Sequence, residues 1–399
     1  MSTPLLVDLG GLSACCTDHA LEGLAKAISG EDGDAHDIWE PHQSPFIARI
    51  IELFTARGLT MLQHVQHGLM AWADGKMHDP AAKHVAKPGF VENWTAEESA
   101  LAHLYLTSLP VEAFTFSDWS LVVDYLLHSY MPEAVLRTEA EWFAVRASIL
   151  GRVQAVMNGQ APTVPELDPV VAALPVTVAA AQQAFKFTKL DAIMEFGQAR
   201  CMEQVVALTA SARQRVKKVI LQHTFDKAQG DPVASRENLQ QKLFDEFAAL
   251  NRDWRRIALT EAGENANQGF LASLTPGSRV KRIEQYKGAC PFCKRIDGVT
   301  MEVVPADAPD KDGDTQVWPG KNNIGRSSAG RKRVGNELVE RMPSEMWWIP
   351  AGTVHPHCRG TWDTLPEAGP HDDPDFQKWL DQHFHKHRTS PTKGNKAQS

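Results

Sequence analysis

The residues in this chain best suited to chemistry are Cys290 and Cys293 in GACPFCKRIDG, and His355 and Cys358 in WWIPAGTVHPHCRGTW. Each pair is spaced i, i+3, so both of its side chains can turn toward one point. Together they offer three thiolates and one imidazole, a complete donor set for one tetrahedral zinc ion per chain. When protein fills all four positions, no coordination site is left for water or substrate, so the metal is structural rather than catalytic. Such an ion would tie off the whole of 294–354. The interval from Asp297 to Glu345 is rich in Gly, Asp, Pro, Lys and Arg. It buries little apolar surface by itself and is expected to lean on the metal for order.

Other uses of these cysteines stay open on the residues alone. Cys290-Pro-Phe-Cys293 has the spacing of a thiol-exchange dithiol, although no run of alternating strands and helices surrounds it, and unpaired burial is a third use. His357, next to Cys358, competes with His355 as the imidazole ligand. Adjacent residues seldom point at one metal and Pro356 stiffens the turn, which favours the i, i+3 pair. Cys15, Cys16 and Cys201 are left over as small buried hydrophobes.

A second cluster is basic: Arg326, Arg331, Lys332 and Arg333 lie in a Gly/Ser-rich segment that reads as a mobile loop. Such a loop could neutralise DNA phosphates without reading sequence. A solvated loop is the simpler reading. Asp310, Asp312 and Asp314 invite a calcium reading, but Thr315 and Lys321 stand where an EF-hand needs Gly and Glu, so they form a solvated turn. No His-Glu-x-x-His, Gly-x-Ser-x-Gly or paired-carboxylate constellation is present, and the chain is not expected to be an enzyme.

The elements that must position these residues form an α+β chain that is predominantly α-helical. From Pro45 to about Met157, apolar residues recur at helical spacing, as in Ile47, Ile50, Ile51, Phe54, Leu59, Leu62, Val65 and Leu69. Thr95 with Glu98, and Thr138 with Glu141, fit capping boxes. Four prolines between Asn158 and Pro175 should interrupt any helix and mark a linker. Helices are expected again over 179–210, 213–225 and 235–250, and a last one over DWRRIALTEAGENANQGFLASL, with Gly230-Asp231-Pro232 as a break. Beyond Gly288 come short strand-like patches at 299–304 and 346–349, then a short amphipathic stretch at 376–384. The expected domains are a helical 1–175, a metal-stapled 176–365 with helices plus a small β and irregular part, and a polar, disordered tail, 366–399. A net charge of −8 and a hydrophobic fraction of 43% describe a soluble globular protein rather than a basic nucleic-acid coat. Without a run of eighteen apolar residues or a basic leader, neither membrane insertion nor secretion is expected.

Three elements in order, Arg256-x-x-x-Thr260-Glu261, then Cys290-x-x-Cys293-x-x-x-Asp297-Gly298, then His355-Pro-x-Cys358-Arg359, resemble the phage head morphogenesis, or Mu F-like minor head protein, family. The resemblance covers residues 180 to 365. That family often continues Cys-Arg-Cys, whereas here Gly360 follows Arg359, which leaves His355 as the needed fourth ligand. The resemblance implies a minor capsid protein of a tailed bacteriophage, located in the virion head interior near the portal vertex and in host cytoplasm during assembly. It further implies contact with the portal protein and with inner capsid or scaffold proteins and a role in genome packaging or ejection; the basic segment, read from its own residues, would add non-specific contact with packaged double-stranded DNA. The alternatives are a zinc-containing, non-specific DNA-binding protein and, less favoured, a thiol-exchange enzyme. Arg256, Thr260 and Glu261 read as bracing between their helix and the zinc segment.

Overall fold

The computed structural model describes residues 42, 44–89, 94–157, 162–185, 190–286, 288–365 and 373–384. Cys15 and Cys16 lie outside them, as does the tail expected at 366–399 except for 373–384, most of which is helical rather than disordered. Among the described residues the protein is mostly helical with a small mixed sheet. Helix α1 (Pro45–Ala73) buries the expected stripe of Ile47, Ile50, Phe54, Leu62, Val65 and Leu69. Helix α2 (Ala96–Thr107) starts at the expected capping box: Thr95 N–H donates to the Glu98 carboxylate at 2.8 Å, and Glu98 N–H donates to the Thr95 hydroxyl at 3.2 Å. Helix α3 (Phe116–Tyr130) repeats the device with Thr115 and Asp118.

Elsewhere helices run through the expected stops. Thr138 starts nothing: α4 (Glu133–Met157) begins after Pro132, and the Thr138 hydroxyl donates back to the Ala134 carbonyl at 3.0 Å. The proline-rich stretch holds a helix, α5 (Val164–Ala173), capped by Thr163 and Glu166. Pro165 sits in the first turn, where its missing N–H has no helical partner to lose. Pro169 faces Pro165 four residues earlier, so only one backbone bond is forfeited. After α6 (Val178–Phe185), α7 (Asp191–Ala228) absorbs both helices expected over 179–225 beyond residue 190, because Ser211 carries no breaker. The Gly230-Asp231-Pro232 break holds. Helix α8 (Arg236–Ala272) then merges the last two expected helices.

The chain divides into two compact units, each discontinuous in sequence. One comprises 52–140 and 199–258. Its core joins Val65 and Leu69 of α1, Val123 and Leu126 of α3, Ala212 and Val216 of α7, and Phe247 of α8. The Trp254 indole N–H donates to the Phe54 carbonyl at 3.1 Å. Asp124 receives both Arg213 and Lys217, at 3.1 and 2.7 Å.

The other unit comprises 1–51, 141–198 and 259–399. Its sheet has the order β3-β2-β1-β6, built from β1 (Arg279–Ile283), β2 (Thr300–Val303), β3 (Gln316–Val317) and β6 (Thr361–Thr364). β1 is antiparallel to both β2 and β6, while β2 and β3 run parallel. Val280, Met301, Val303, Val317 and Trp362 pack with Phe270, Leu271 and Leu274 from the end of α8 and its exit. The expected strand at 346–349 does not form. Met346 makes one isolated bridge to Ser327, and the two tryptophans after it are used as side chains instead. Helix α10 (Pro374–Phe384) is the expected amphipathic stretch. Its Phe376 meets Phe185 edge-on at 5.5 Å, and Asp373 just before it binds Arg152 at 2.7 Å.

Helices α4 and α8 approach backbone to backbone inside this unit. A Cβ on Gly151 would lie 1.9 Å from the Ala266 carbonyl oxygen, and one on Gly269 would lie 2.0 Å from that of Ser148. Backbone cannot yield as a side-chain tip can, so Gly151→Ala is expected to destabilise by about 3 kcal/mol in denaturant unfolding. Gly330→Ala, with open space around it, should stay within about 0.5 kcal/mol of wild type. Equal stability of the two variants would refute the close approach.

Candidate metal centre

Helix α9 (Pro291–Ile296) exists to aim two sulfurs. Cys290 is its N-cap in extended conformation, Pro291 opens the first turn, and the Cys293 N–H donates to the Cys290 sulfur at 3.4 Å. The rest of the motif closes the loop. Asp297 accepts from the Glu284 N–H at 2.8 Å, and Gly298 N–H donates to the Arg282 carbonyl at 2.8 Å, which ties the exit of α9 to the end of β1.

The second pair comes from the turn before β6, where Cys358 N–H donates to the His355 carbonyl at 3.1 Å. The His355 Nε2 lies 3.5 Å from the Cys293 sulfur. Its Nδ1 is 2.6 Å from the Pro356 carbonyl, a bond that places the proton on Nδ1 and leaves the Nε2 lone pair for a metal. Trp347 stacks on the imidazole at 5.6 Å and meets Phe292 edge-on at 5.4 Å. His357 points elsewhere: it is exposed, at φ 67°, and its N–H donates to the Thr260 hydroxyl at 3.1 Å. That bond is the bracing expected of Thr260, while Arg256 pairs with Asp253 at 3.2 Å.

Cys290, Cys293, His355 and Cys358 thus form one cluster that can hold a metal ion. Cys290, Cys293 and His355 place their donor atoms within 4.8 Å of one another, and Cys293 and Cys358 do the same with Glu284. A tetrahedral zinc site sets its donors about 3.5–3.8 Å apart. The four side chains also shift one another's ionisation strongly. A hydrogen bond with Cys293 brings the Cys290 thiol down to about 3, while bonds with Cys290 and Cys358 push Cys293 far up. Burial raises Cys358, but its bond with Cys293 and the Arg282 charge outweigh it and lower the thiol well below the usual range. Burial lowers His355, yet the Cys290 bond and Cys358 charge lift it to about 9. A divalent ion would take the place of the protons that these three sulfurs and the imidazole share.

Two residues of the site carry no signal in the Cys and His spacing. Arg282 is wholly buried; it donates to Glu284 at 2.7 Å and to the Gly352 carbonyl at 3.0 Å, and lies 3.7 Å from the Cys358 sulfur. Burial pushes Glu284 up to about 7 against the pull of Arg282. A Cβ at residue 360 would lie 1.9 Å from the Glu284 carboxylate, so Gly360, where the sequence departs from Cys-Arg-Cys, is required by this pair. The hint in the sequence is only the i, i+2 alternation of Arg282 and Glu284.

The basic segment is not a mobile loop. Strands β4 (Arg331–Val334) and β5 (Glu337–Glu340) form a hairpin with Arg331 opposite Glu340. Arg331 and Glu340 approach to 3.8 Å, Lys332 pairs with Glu345, and Arg333 stands opposite Leu338. Arg326 stacks on Trp348 at 3.6 Å. The Asp310–Asp314 stretch is a turn, with Asp312 accepting from Asp314 N–H at 2.9 Å and from the Thr315 hydroxyl at 2.6 Å. No family model matches the sequence, and no curated protein or solved structure matches the chain.

The segment expected to lean on the metal has a staple of its own. Lys321 is wholly buried and donates to the Gly313 and Gln316 carbonyls at 2.7 and 2.8 Å. Its ammonium lies 4.9 Å from the Trp318 ring and 4.8 Å from that of Trp348. Burial pulls its pKa to about 7, while the carbonyls and indole faces favour the charged form. Lys321→Ala strands two carbonyls and is expected to lose about 2–4 kcal/mol. Limited proteolysis should then cut within 305–345 even with metal bound, whereas chelation of the wild type should open 286–296 and 353–358 first. Cleavage confined to 305–345 on chelation would show that the metal, not Lys321, orders that interval.

Proposed function

We propose that this chain is a minor head protein of a tailed bacteriophage, stapled by one structural zinc on Cys290, Cys293, His355 and Cys358. It acts at the portal vertex in head morphogenesis and in genome packaging or ejection. The observation that carries this reading is the convergence of the three motifs of the resemblance. Thr260 of the first accepts from His357 of the third, and Cys293 of the second lies against His355 of the third. Motifs that meet as one constellation are harder to assign to chance than motifs spread along a sequence. The donor set is closed and sits on braced backbone, which suits a scaffold rather than an active site.

A partner protein is favoured over DNA as the hairpin's contact. Arg331 faces Glu340 and Lys332 pairs with Glu345, which offsets two of the cations that the hairpin could offer to phosphates. Val334, Leu338 and Met342 expose apolar surface in the same region. The portal protein and inner capsid or scaffold proteins are therefore the proposed partners, in the virion and, during assembly, in the host cytoplasm.

Metal analysis of purified protein should give close to one zinc per chain, and the double variant Cys290→Ser/Cys293→Ser should retain none; full retention would sink the zinc assignment. In purified heads emptied of DNA, the chain should remain with a portal subcomplex. Its absence from every particle would overturn the assembly reading while leaving the metal site standing.

A further inference from the structure

The metal pocket holds five donors for one four-coordinate ion. Besides the cysteines and His355, the Glu284 carboxylate lies within 4.8 Å of the Cys293 and Cys358 sulfurs, and both its oxygens are 3.7 Å from Cys358. A second ion to use the surplus is disfavoured, because the Arg282 guanidinium already lies 3.7 Å from Cys358. We propose that Glu284 is a reserve ligand, which takes the coordination position of His355 when the imidazole is away from the ion. This rests on the zinc reading above.

Three observations carry it. The carboxylate is already in place, held by Arg282, by the Asp297 bond to its own N–H, and by the space that Gly360 leaves. It therefore stands beside two of the sulfurs that would hold the ion. His355 is the most solvent-accessible of the donors, standing beside exposed Pro356 and His357, whereas Glu284 is wholly buried. Finally, Cys293 belongs to both donor groups, so the two coordination sets overlap and one ion can pass between them without leaving the pocket. Carboxylate oxygen is an accepted zinc donor alongside thiolate and imidazole.

The test is a cobalt(II) titration followed by visible absorption, with circular dichroism confirming helix content. Wild type should bind one equivalent with a tetrahedral sulfur-rich spectrum. His355→Ala should still bind one equivalent, with its d–d bands moved to lower energy, because carboxylate is a weaker-field donor than imidazole. The double variant His355→Ala/Glu284→Gln should bind at least about tenfold more weakly than His355→Ala. Equal affinity of those two, or no binding by His355→Ala while wild type binds, overturns the reserve-ligand role alone. A wild type that binds neither cobalt nor zinc overturns the zinc reading and this one with it. If His355→Ala loses its helical signal, the comparison moves to Glu284→Gln alone. Zinc transfer to a chromogenic chelator several-fold faster than wild type supports recapture by Glu284, and an unchanged rate overturns it.

Discussion

The irregular part of the chain depends on one polar stripe along the second half of α8, half-buried at Thr260 and buried beyond it. Thr260, Glu264, Asn267 and Gln268 follow helical spacing, and each binds a different piece of the segment that carries the site. Thr260 accepts from His357, and Glu264 accepts from Thr353 N–H at 2.6 Å. Asn267 donates to the Gly360 carbonyl at 2.8 Å, and Gln268 accepts from Gly320 N–H at 2.7 Å. An unmatched buried polar group costs about 1–3 kcal/mol, so the stripe is tolerable only when all four pieces are seated. On another face of the same helix, Ala266 and Gly269 allow the close approach of α4. One helix thus carries both the packing against α4 and the hydrogen bonds that seat the turn bearing His355 and Cys358.

The electrostatics of the centre point the same way as its geometry. Buried sulfurs beside a buried carboxylate repel one another when ionised and crowd one another when protonated. Arg282 and the imidazole of His355, lifted to about 9, relieve part of this. A divalent ion among the thiolates would replace the shared protons with fixed bonds. A thiol-exchange enzyme needs a low-pKa sulfur that is open to a substrate disulfide. Here Cys293 and Cys358 are wholly buried, and Cys290 is nearly so.

What could be read from the sequence divides along local and non-local lines. Helix stripes, the Thr95 cap, the Gly230 break and the amphipathic 376–384 stretch depend on neighbours a few residues apart, and they appear as expected. The donor pairs were legible for the same reason, since i, i+3 spacing is local. Breakers misled where their context neutralised them. Pro165 and Pro169 fall where a helix loses little, and Thr138 lies inside a helix already started at Pro132. The basic cluster was misjudged because its partners, Glu340, Glu345 and Trp348, lie up to some twenty residues on and only the hairpin reveals them. Glu284, Arg282 and Lys321 were invisible for a stronger reason. A lone charged residue on a strand or in a turn reads as solvated unless the fold places it inside.

Lys321 shows why a metal and a fold need not be the same staple. A cation held by two carbonyls and two indole faces orders backbone much as a bound ion does, through directional contacts to a buried positive charge. The chain thus closes its irregular region twice, with the thiolate site gathering α9 and the 353–358 turn, and the Lys321 cage gathering residues 313–323 against Trp348. The two closures meet in one strip of chain. Trp347 stacks on His355 while Trp348 covers Lys321. Adjacent side chains on extended backbone face opposite ways, so a single dipeptide at 347–348 serves both centres. The 346–349 stretch, apolar enough to suggest a strand, does not pair in a sheet, because the Trp347 N–H donates to the Ser327 carbonyl at 3.0 Å and the Trp348 N–H to the Asn323 side chain at 3.2 Å.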